Sequence, residues 1–152
     1  MKIRRTIDNI LGHLLVLIMA IMVLNVLWQV FSRYFLGSPS SFTDELARYL
    51  MIWIGILGAA FVSGKNMHVA IDVLPSRLPP RARQRLRQLV RSCIVIFCLL
   101  AMVIGGSRLV YITYVLDQFS PALNVPLALV YAVIPLSGVL IIYYKITDML
   151  QN

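Results

Sequence analysis

Residues 43–62 read TDELARYLMIWIGILGAAFV, a short polar segment with two adjacent acids followed at once by an uninterrupted apolar run. Over its 152 residues the chain is 60% hydrophobic and 13% charged, and its mean hydropathy is +0.84. The charged share of a soluble domain is about a quarter. The apolar run is therefore predicted to cross a membrane.

Three further stretches match this run in length and apolar content. Crossing a hydrocarbon core about 30 Å thick takes roughly 20 residues of helix at about 1.5 Å rise per residue. The predicted transmembrane helices cover 10–34, 46–64, 92–114 and 123–144, with a longer connection at 65–91. Residues 1–152 are thus predicted to form a single membrane domain, an all-α integral membrane protein with four transmembrane helices.

Basic residues are divided unevenly between the two sides of this topology. One side receives only Arg33, Arg48 and Arg108. The other side receives Lys2, Arg4, Arg5, Lys65, Arg77, Arg81, Arg83, Arg85, Arg87, Arg91 and Lys145. Because an excess of Lys and Arg marks the cytoplasmic side, both termini and the middle connection are expected in the cytoplasm. Asp44 and Glu45 are then expected to face outward.

The second half of the middle connection, SRLPPRARQRLRQLVR at 76–91, is strongly basic. Pro79 and Pro80 favour a helix start here, since proline suits a first helical turn and keeps the preceding residue out of the helical region. Arginines surround the apolar stripe of this helix: Arg81, Arg83, Arg85, Arg87 and Arg91. The pattern predicts a basic amphipathic interfacial helix between spans two and three. Membrane lipid is its expected partner, at about 1 kcal/mol per arginine beside anionic headgroups, and nucleic acid is not.

The middle of each predicted span lacks ionisable residues. An ion or proton path normally contains such residues, because burying them in the bilayer is costly unless function requires it. Asn25, a deep polar side chain of span one, is expected to form an interhelical hydrogen bond worth about 1 kcal/mol. The chain is therefore not expected to carry a solute by itself.

Small residues and one proline predict how the helices pack. Gly55 and Gly58 in span two, and Gly106 in span three, allow close approach of neighbouring helices. Pro135 is expected to bend span four, because it lacks an N–H group. The carbonyl that it leaves unbonded is expected to be satisfied by a neighbouring helix or by a hydroxyl such as that of Ser137.

The two histidines raise an alternative function, the four-helix membrane anchor of a haem-containing respiratory complex, since two imidazoles can hold a haem. His13 lies early in span one, but His68 falls in the connection, outside the spans. On a short interfacial helix His68 and Asp72 lie at i and i+4, so a surface ion pair is the simpler interpretation. Cys93 and Cys98 lack the spacing of metal ligands. No cofactor or metal is predicted.

The acid pair has a local explanation and a functional one. Thr43 can cap the helix of span two, which places Asp44 and Glu45 at the positive end of the helix dipole. Arg48 lies at i+4 from Asp44 and can pair with it. The functional hypothesis is a partner interface formed by Asp44, Glu45 and Arg48, in which at least one carboxylate meets a basic group of another protein.

The order of residues at 42–80, FTDELARYLMIWIGILGAAFVSGKNMHVAIDVLPSRLPP, resembles the signature of the small membrane subunit of TRAP transporters, the DctQ or SiaQ type. The shared features are the acid pair, an apolar span with a Gly-Ala step, then His-Val-x-x-Asp and a Leu-Pro. The resemblance extends to RYFLG at 33–37 and SPALNVPLALVYAVIP at 120–135. One departure is Phe42, where such sequences commonly carry Trp.

This resemblance implies a small, non-catalytic subunit of a tripartite sodium-coupled transporter in the bacterial inner membrane. In that family a periplasmic binding protein delivers a carboxylate-bearing solute, a large multi-span subunit moves it, and the small subunit braces and anchors the large one. The chain is thus expected to be no enzyme. Its expected partners are the large membrane subunit, the binding protein and membrane lipids.

Overall fold

Helices account for nearly all of the chain that the computed structural model describes, which is residues 2–35, 37, 41–65 and 79–150. The elements are α1 (Lys2–Phe35), α2 (Ser41–Gly64), α3 (Pro80–Phe97), a π-helix (Cys98–Gly105), α4 (Gly106–Val115), α5 (Leu127–Tyr131) and α6 (Val133–Leu150). Helix α3, the π-helix and α4 follow one another without a break and form one long helix.

Four helical segments are long and apolar enough to cross a membrane. They are Arg4–Phe35, Ser41–Gly64, Gln84–Val115 and Leu127–Met149, and we refer to them as spans one to four. The prediction of an all-α protein with four membrane-crossing helices is confirmed. Span four begins at Leu127 rather than at Leu123, because residues 120–126 form a turn that ends in extended backbone at Pro126.

The basic helix begins at Pro80, with Pro79 in extended conformation before it. Both positions agree with the expectation from the two prolines. The helix runs straight on into span three, so it is the first part of that long helix. Its location at the membrane interface stays a prediction, and His68 and Asp72 lie outside the described residues.

The spans pack side by side in the order one, two, four, three. Helix α1 packs mainly along α2, α2 packs on α6, and α6 packs on the π-helix and its flanking helices α3 and α4. Buried residues make up 39% of the most apolar part of span four but 17%, 17% and 11% in spans one, two and three. Span four is therefore the central element, and the others keep large apolar surfaces.

Two apolar clusters join the spans. The first contains Leu11, Ala60, Cys98 and Ile141, one residue from each span. The second contains Ile18, Leu57 and Val133. Leu57 is 1% exposed, so it is fully enclosed between its neighbours. Burial of this kind holds the spans in register along the membrane.

Spans three and four approach each other closely at two glycines. A Cβ atom at Gly106 would lie 2.9 Å from Cγ2 of Ile134, and one at Gly138 would lie 2.7 Å from Cβ of Met102. Neither position has room for a methyl group. The expected close approach at Gly106 is present, whereas Gly55 and Gly58 have no atom within 4 Å of such a Cβ.

Span four is interrupted near Pro135. Helix α5 ends at Tyr131 and α6 begins at Val133, so the break consists of Ala132 alone, whose backbone angles are still helical. The bend at Pro135 stays a prediction. The hydroxyl of Ser137 donates to the carbonyl of Ile134 at 3.0 Å, within its own helix. The indole of Trp53 in α2 donates to the carbonyl of Val130 at 3.1 Å and so ties span two to the break.

Candidate functional site: polar clusters at the two ends of the spans

Polar side chains join the spans at both ends of the helices. The loop-side cluster lies near the connection between spans three and four and consists of Asn25, Gln29, Thr43, Asp44, Glu45, Arg48, Ser120 and Ala122. The terminus-side cluster lies near both chain ends and consists of Arg4, Asp8, Ser63, Gly64, Arg91, Tyr144, Lys145 and Asp148.

The loop-side cluster first ties span one to span two. The side-chain amide of Asn25 is buried and donates to the backbone carbonyl of Thr43 at 2.8 Å. This contact is the interhelical hydrogen bond expected for Asn25. Because α2 already begins at Ser41, Thr43 lies inside the first turn and not at the cap position.

Glu45 holds the turn between spans three and four. Its Oε2 atom accepts hydrogen bonds from the hydroxyl of Ser120 and, at 3.1 Å, from the backbone N–H of Ala122. Ser120 is fully buried, and its backbone N–H and carbonyl bond within the turn to Val125 and Asn124. Glu45 therefore fastens a compact turn to the first residues of span two, from which it is separated by more than seventy residues of chain.

Asp44 points the other way and stays exposed. Its Oδ2 pairs with the guanidinium of Arg48 at 3.2 Å, and the two side chains are 60% and 68% exposed. Gln29 of span one donates to Oδ1 at 3.4 Å. The i,i+4 pair is the predicted one, and exposed pairs of this type contribute about 0.3–0.5 kcal/mol. The two adjacent acids thus differ in setting: Glu45 bonds to a distant turn, whereas Asp44 bonds to neighbours at an exposed surface and stays accessible.

Asp148 is the centre of the terminus-side cluster. Its Oδ1 pairs with the guanidinium of Arg4 at 2.7 Å, and its carbonyl accepts from Arg91 at 3.0 Å. Arg4 also donates to the carbonyl of Gly64. Arg4 and Asp148 therefore join spans one, two and four and the basic helix α3, through a carboxylate that is 5% exposed, the backbone carbonyl of Asp148 and the carbonyl of Gly64.

A second set of bonds lies beside Asp148. The ammonium group of Lys145 is buried and donates to the carbonyl of Ser63 at 3.3 Å. The hydroxyl of Tyr144 donates to Asp8 at 2.6 Å, and the ring of Tyr144 packs so tightly on Gly64 that an added Cβ would lie 2.8 Å from it. Lys145 thus lies within α6 as a buried link between spans.

Sequence reasoning missed Asp8, Tyr144 and Asp148. Their partners are 136 and 144 positions away along the chain, so no local spacing indicates the contacts. One weak signal exists. Arg4 and Asp8 lie at i and i+4 at the start of an apolar helix, as Tyr144 and Asp148 do at the end of another, and charges on one face of a membrane helix need a partner.

The remaining predicted site residues belong to the basic helix α3. Arg81, Arg83, Arg85 and Arg87 belong to the first turns of α3, where Arg85 is exposed, while Arg91 bonds to the end of α6. His13 is exposed and bonds to the carbonyl of Asn9 in its own helix. Within the described part of the chain, no three His, Cys, Asp or Glu residues come together to hold a metal ion.

Comparison with known proteins assigns the chain to a family. The family described as tripartite ATP-independent periplasmic transporters, DctQ component, matches residues 22–152. A Haemophilus influenzae protein named as a TRAP transporter small permease is 33% identical over 146 residues, covering 96% of this chain and 89% of that protein. The ectoine TRAP transporter small permease protein TeaB of Halomonas elongata is 30% identical over 140 residues, covering 86% and 69%.

A longer relative is also similar. The sialic acid TRAP transporter permease protein SiaT of Haemophilus influenzae is 31% identical over 80 residues, which are 53% of this chain and 13% of that protein. The family match spans most of the chain, and the helices have the length and hydropathy of membrane spans. The chain therefore belongs to the DctQ component family of TRAP transporters, as a multi-pass small permease subunit that serves transport and is not an enzyme.

Proposed function

We propose that this chain is the non-catalytic small subunit of a sodium-coupled TRAP transporter for organic-acid uptake, and that it braces and anchors the large transport subunit. One observation carries the proposal: hydrogen bonds fasten the spans to each other at both ends, through Glu45 on the loop side and Asp148 on the terminus side. Spans held at both ends move as one body, which is the property that a brace requires.

The proposed partner is a large multi-span membrane subunit. Two features support it. In SiaT, the segment similar to this chain is a small part of a much longer permease. Most residues in the apolar parts of spans one to three are also not buried within the chain, so the packing of the four spans against one another leaves apolar surface facing outward. Lipid and a larger membrane protein together account for that surface.

The acid pair is proposed to contact this partner or a periplasmic binding protein through Asp44. Glu45 is engaged by Ser120 and Ala122, whereas Asp44 and Arg48 are exposed. Charges at the rim of an interface steer association and select the partner. A basic group of the other protein that approaches Asp44 competes with Arg48, which is itself exposed and free to turn aside.

The proposed topology places the chain as one membrane domain in the bacterial inner membrane, with both termini cytoplasmic. The basic residues around the terminus-side cluster support this orientation. Arg81, Arg83, Arg85 and Arg87 then face anionic lipid on the cytoplasmic surface, and His68 and Asp72 form an ion pair there. Fusions of reporter proteins to each terminus test the orientation, and activity of either reporter outside the cytoplasm would reverse it.

Transport by reconstituted components tests the function. The chain is expressed together with a large TRAP membrane subunit, and the purified complex is placed in vesicles together with a periplasmic binding protein. We expect the two membrane proteins to copurify, and organic-acid uptake to require a sodium gradient and all three proteins. Full uptake by the large subunit without this chain would contradict the proposed role.

A further inference from the structure

A concave apolar groove lies between α4 and the break in span four. It has a volume of about 350 Å³, at the lower end of the range of roughly 300–1,000 Å³ for ligand pockets. Ala128, Ala132 and Pro135 form one side, and Val110, Tyr111 and Tyr114 form the other. The groove stays open because the side chains of Ala128 and Ala132 are too small to fill it.

The two tyrosines indicate where the groove opens. Tyr111 is 67% and Tyr114 71% exposed, and both lie in the last turns of α4, close to its end at Val115. Tyrosine is enriched at the level of the lipid headgroups, where its ring is apolar and its hydroxyl is hydrated. The groove therefore extends from the headgroup level into the hydrocarbon region.

An arginine flanks this groove. Arg108 directly follows Ser107, which lines the groove, and precedes Tyr111, which also lines it, by three positions. Residues at i and i+3 are neighbours on a helix surface, so Arg108 lies beside Tyr111. It lies seven residues, or roughly 10 Å of helix, before Val115. Its side chain is exposed, and the described residues offer it neither a hydrogen bond nor an ion pair. An arginine at this depth is costly unless it extends toward the surface or meets an anion.

We propose that the groove and Arg108 together bind one phospholipid, with an acyl chain in the groove and the phosphate on the guanidinium of Arg108. The charge of Arg108 favours a ligand with a phosphate group, because a guanidinium binds phosphate through two parallel hydrogen bonds. The apolar walls of the groove favour a ligand whose remaining part is a hydrocarbon chain. A carboxylate on a helix of another subunit would satisfy Arg108 but would leave the groove without an occupant.

Bound lipid tests this site independently of transport. The chain is extracted in a mild detergent, incubated with phosphatidylglycerol and analysed by native mass spectrometry. We expect one retained lipid per chain in the parent and a loss of about tenfold in affinity in Arg108→Gln, the effect of removing one charge-assisted interaction. Arg108→Lys keeps the charge and is expected to recover part of the affinity.

Two further variants separate the site from general lipid contact. Arg33→Gln removes another exposed arginine of the same side, one with no role in either polar cluster, and is expected to retain lipid like the parent. Ala132→Leu fills the groove and is expected to weaken long-chain lipid while leaving a short-chain lipid with the same headgroup unaffected; a thermal melting curve checks that this variant is folded. Equal retention by the parent and Arg108→Gln, or equal loss in Arg33→Gln, would overturn the proposal. An Arg108→Gln variant that keeps the lipid but no longer copurifies with the large subunit would overturn it in favour of a protein carboxylate.

Discussion

Glu45 accepts a hydrogen bond from the backbone N–H of Ala122 at 3.1 Å, and this bond joins the start of span two to the turn between spans three and four. The same carboxylate oxygen also accepts from the hydroxyl of Ser120. A carboxylate suits this place because it accepts two hydrogen bonds and donates none. The connection between spans three and four contains two residues with positive φ, Asp117 and, within the turn, Asn124, so its shape benefits from an external fastening.

Replacing Glu45 by Gln is therefore expected to lower the melting temperature of the isolated subunit. Glutamine keeps the shape of glutamate but loses the charge that strengthens both hydrogen bonds. Thermal unfolding in detergent measures the effect, with Asp44→Asn as the matched control on the neighbouring exposed acid. Equal melting temperatures for the parent, the control and Glu45→Gln would show that the turn does not depend on this carboxylate.

Replacing Asp44 by Asn is expected to leave the fold of the subunit unchanged and to affect its contact with a partner. The exposed ion pair of Asp44 with Arg48 contributes about 0.5 kcal/mol or less to the stability of the fold, so the subunit should fold normally. If Asp44 contacts a partner, the variant should reduce recovery of the complex or uptake in reconstituted vesicles. Wild-type assembly and uptake would mean that Asp44 acts only locally in the first turn of α2.

The sequence predicted the contacts that depend on short spacing and missed those that depend on the fold. The four spans, the helix start at Pro80 and the pair of Asp44 with Arg48 follow from hydropathy, backbone restriction and i,i+4 geometry. The contact of Glu45 with Ser120 does not, because it needs the relative placement of two spans. The same physical limit hid the buried position of Lys145, which looked like a flanking cytoplasmic charge.

Asp148→Asn tests the terminus-side cluster. Removing one partner of a buried ion pair costs about 3–5 kcal/mol, and we expect the low end, about 3 kcal/mol, because the side chain of Arg4 is 22% exposed. Denaturant unfolding of Asp148→Asn, Arg4→Met and the double variant measures the coupling. If the two single losses simply add, Arg4 and Asp148 do not interact and the proposed fastening of the chain ends is wrong.

Gly138→Ala tests the contact between spans three and four. The added methyl group would lie 2.7 Å from Cβ of Met102, so the helices must separate. Overpacking of this kind costs about 1–3 kcal/mol. Gly55→Ala is the matched control, since no atom lies within 4 Å of its added methyl group, and it should leave the isolated subunit unchanged or slightly more stable. A Gly138→Ala variant as stable as the control would show that this contact yields without cost.

The last prediction concerns the basic face of α3. Replacing Arg81, Arg83, Arg85 and Arg87 together by Gln removes up to about 1 kcal/mol of lipid attraction per arginine and leaves the bond of Arg91 to the carbonyl of Asp148 in place. We expect weaker membrane anchoring or a mixed orientation in reporter fusions, with the substrate affinity of the binding protein unchanged. Arg91→Gln is the complementary control: it should destabilise the fold, because it removes the bond to α6, without mixing the orientation. If the fourfold variant inserts in a single orientation and assembles like the parent, these arginines are only solvated, and the positive-inside signal comes from the residues near the N terminus.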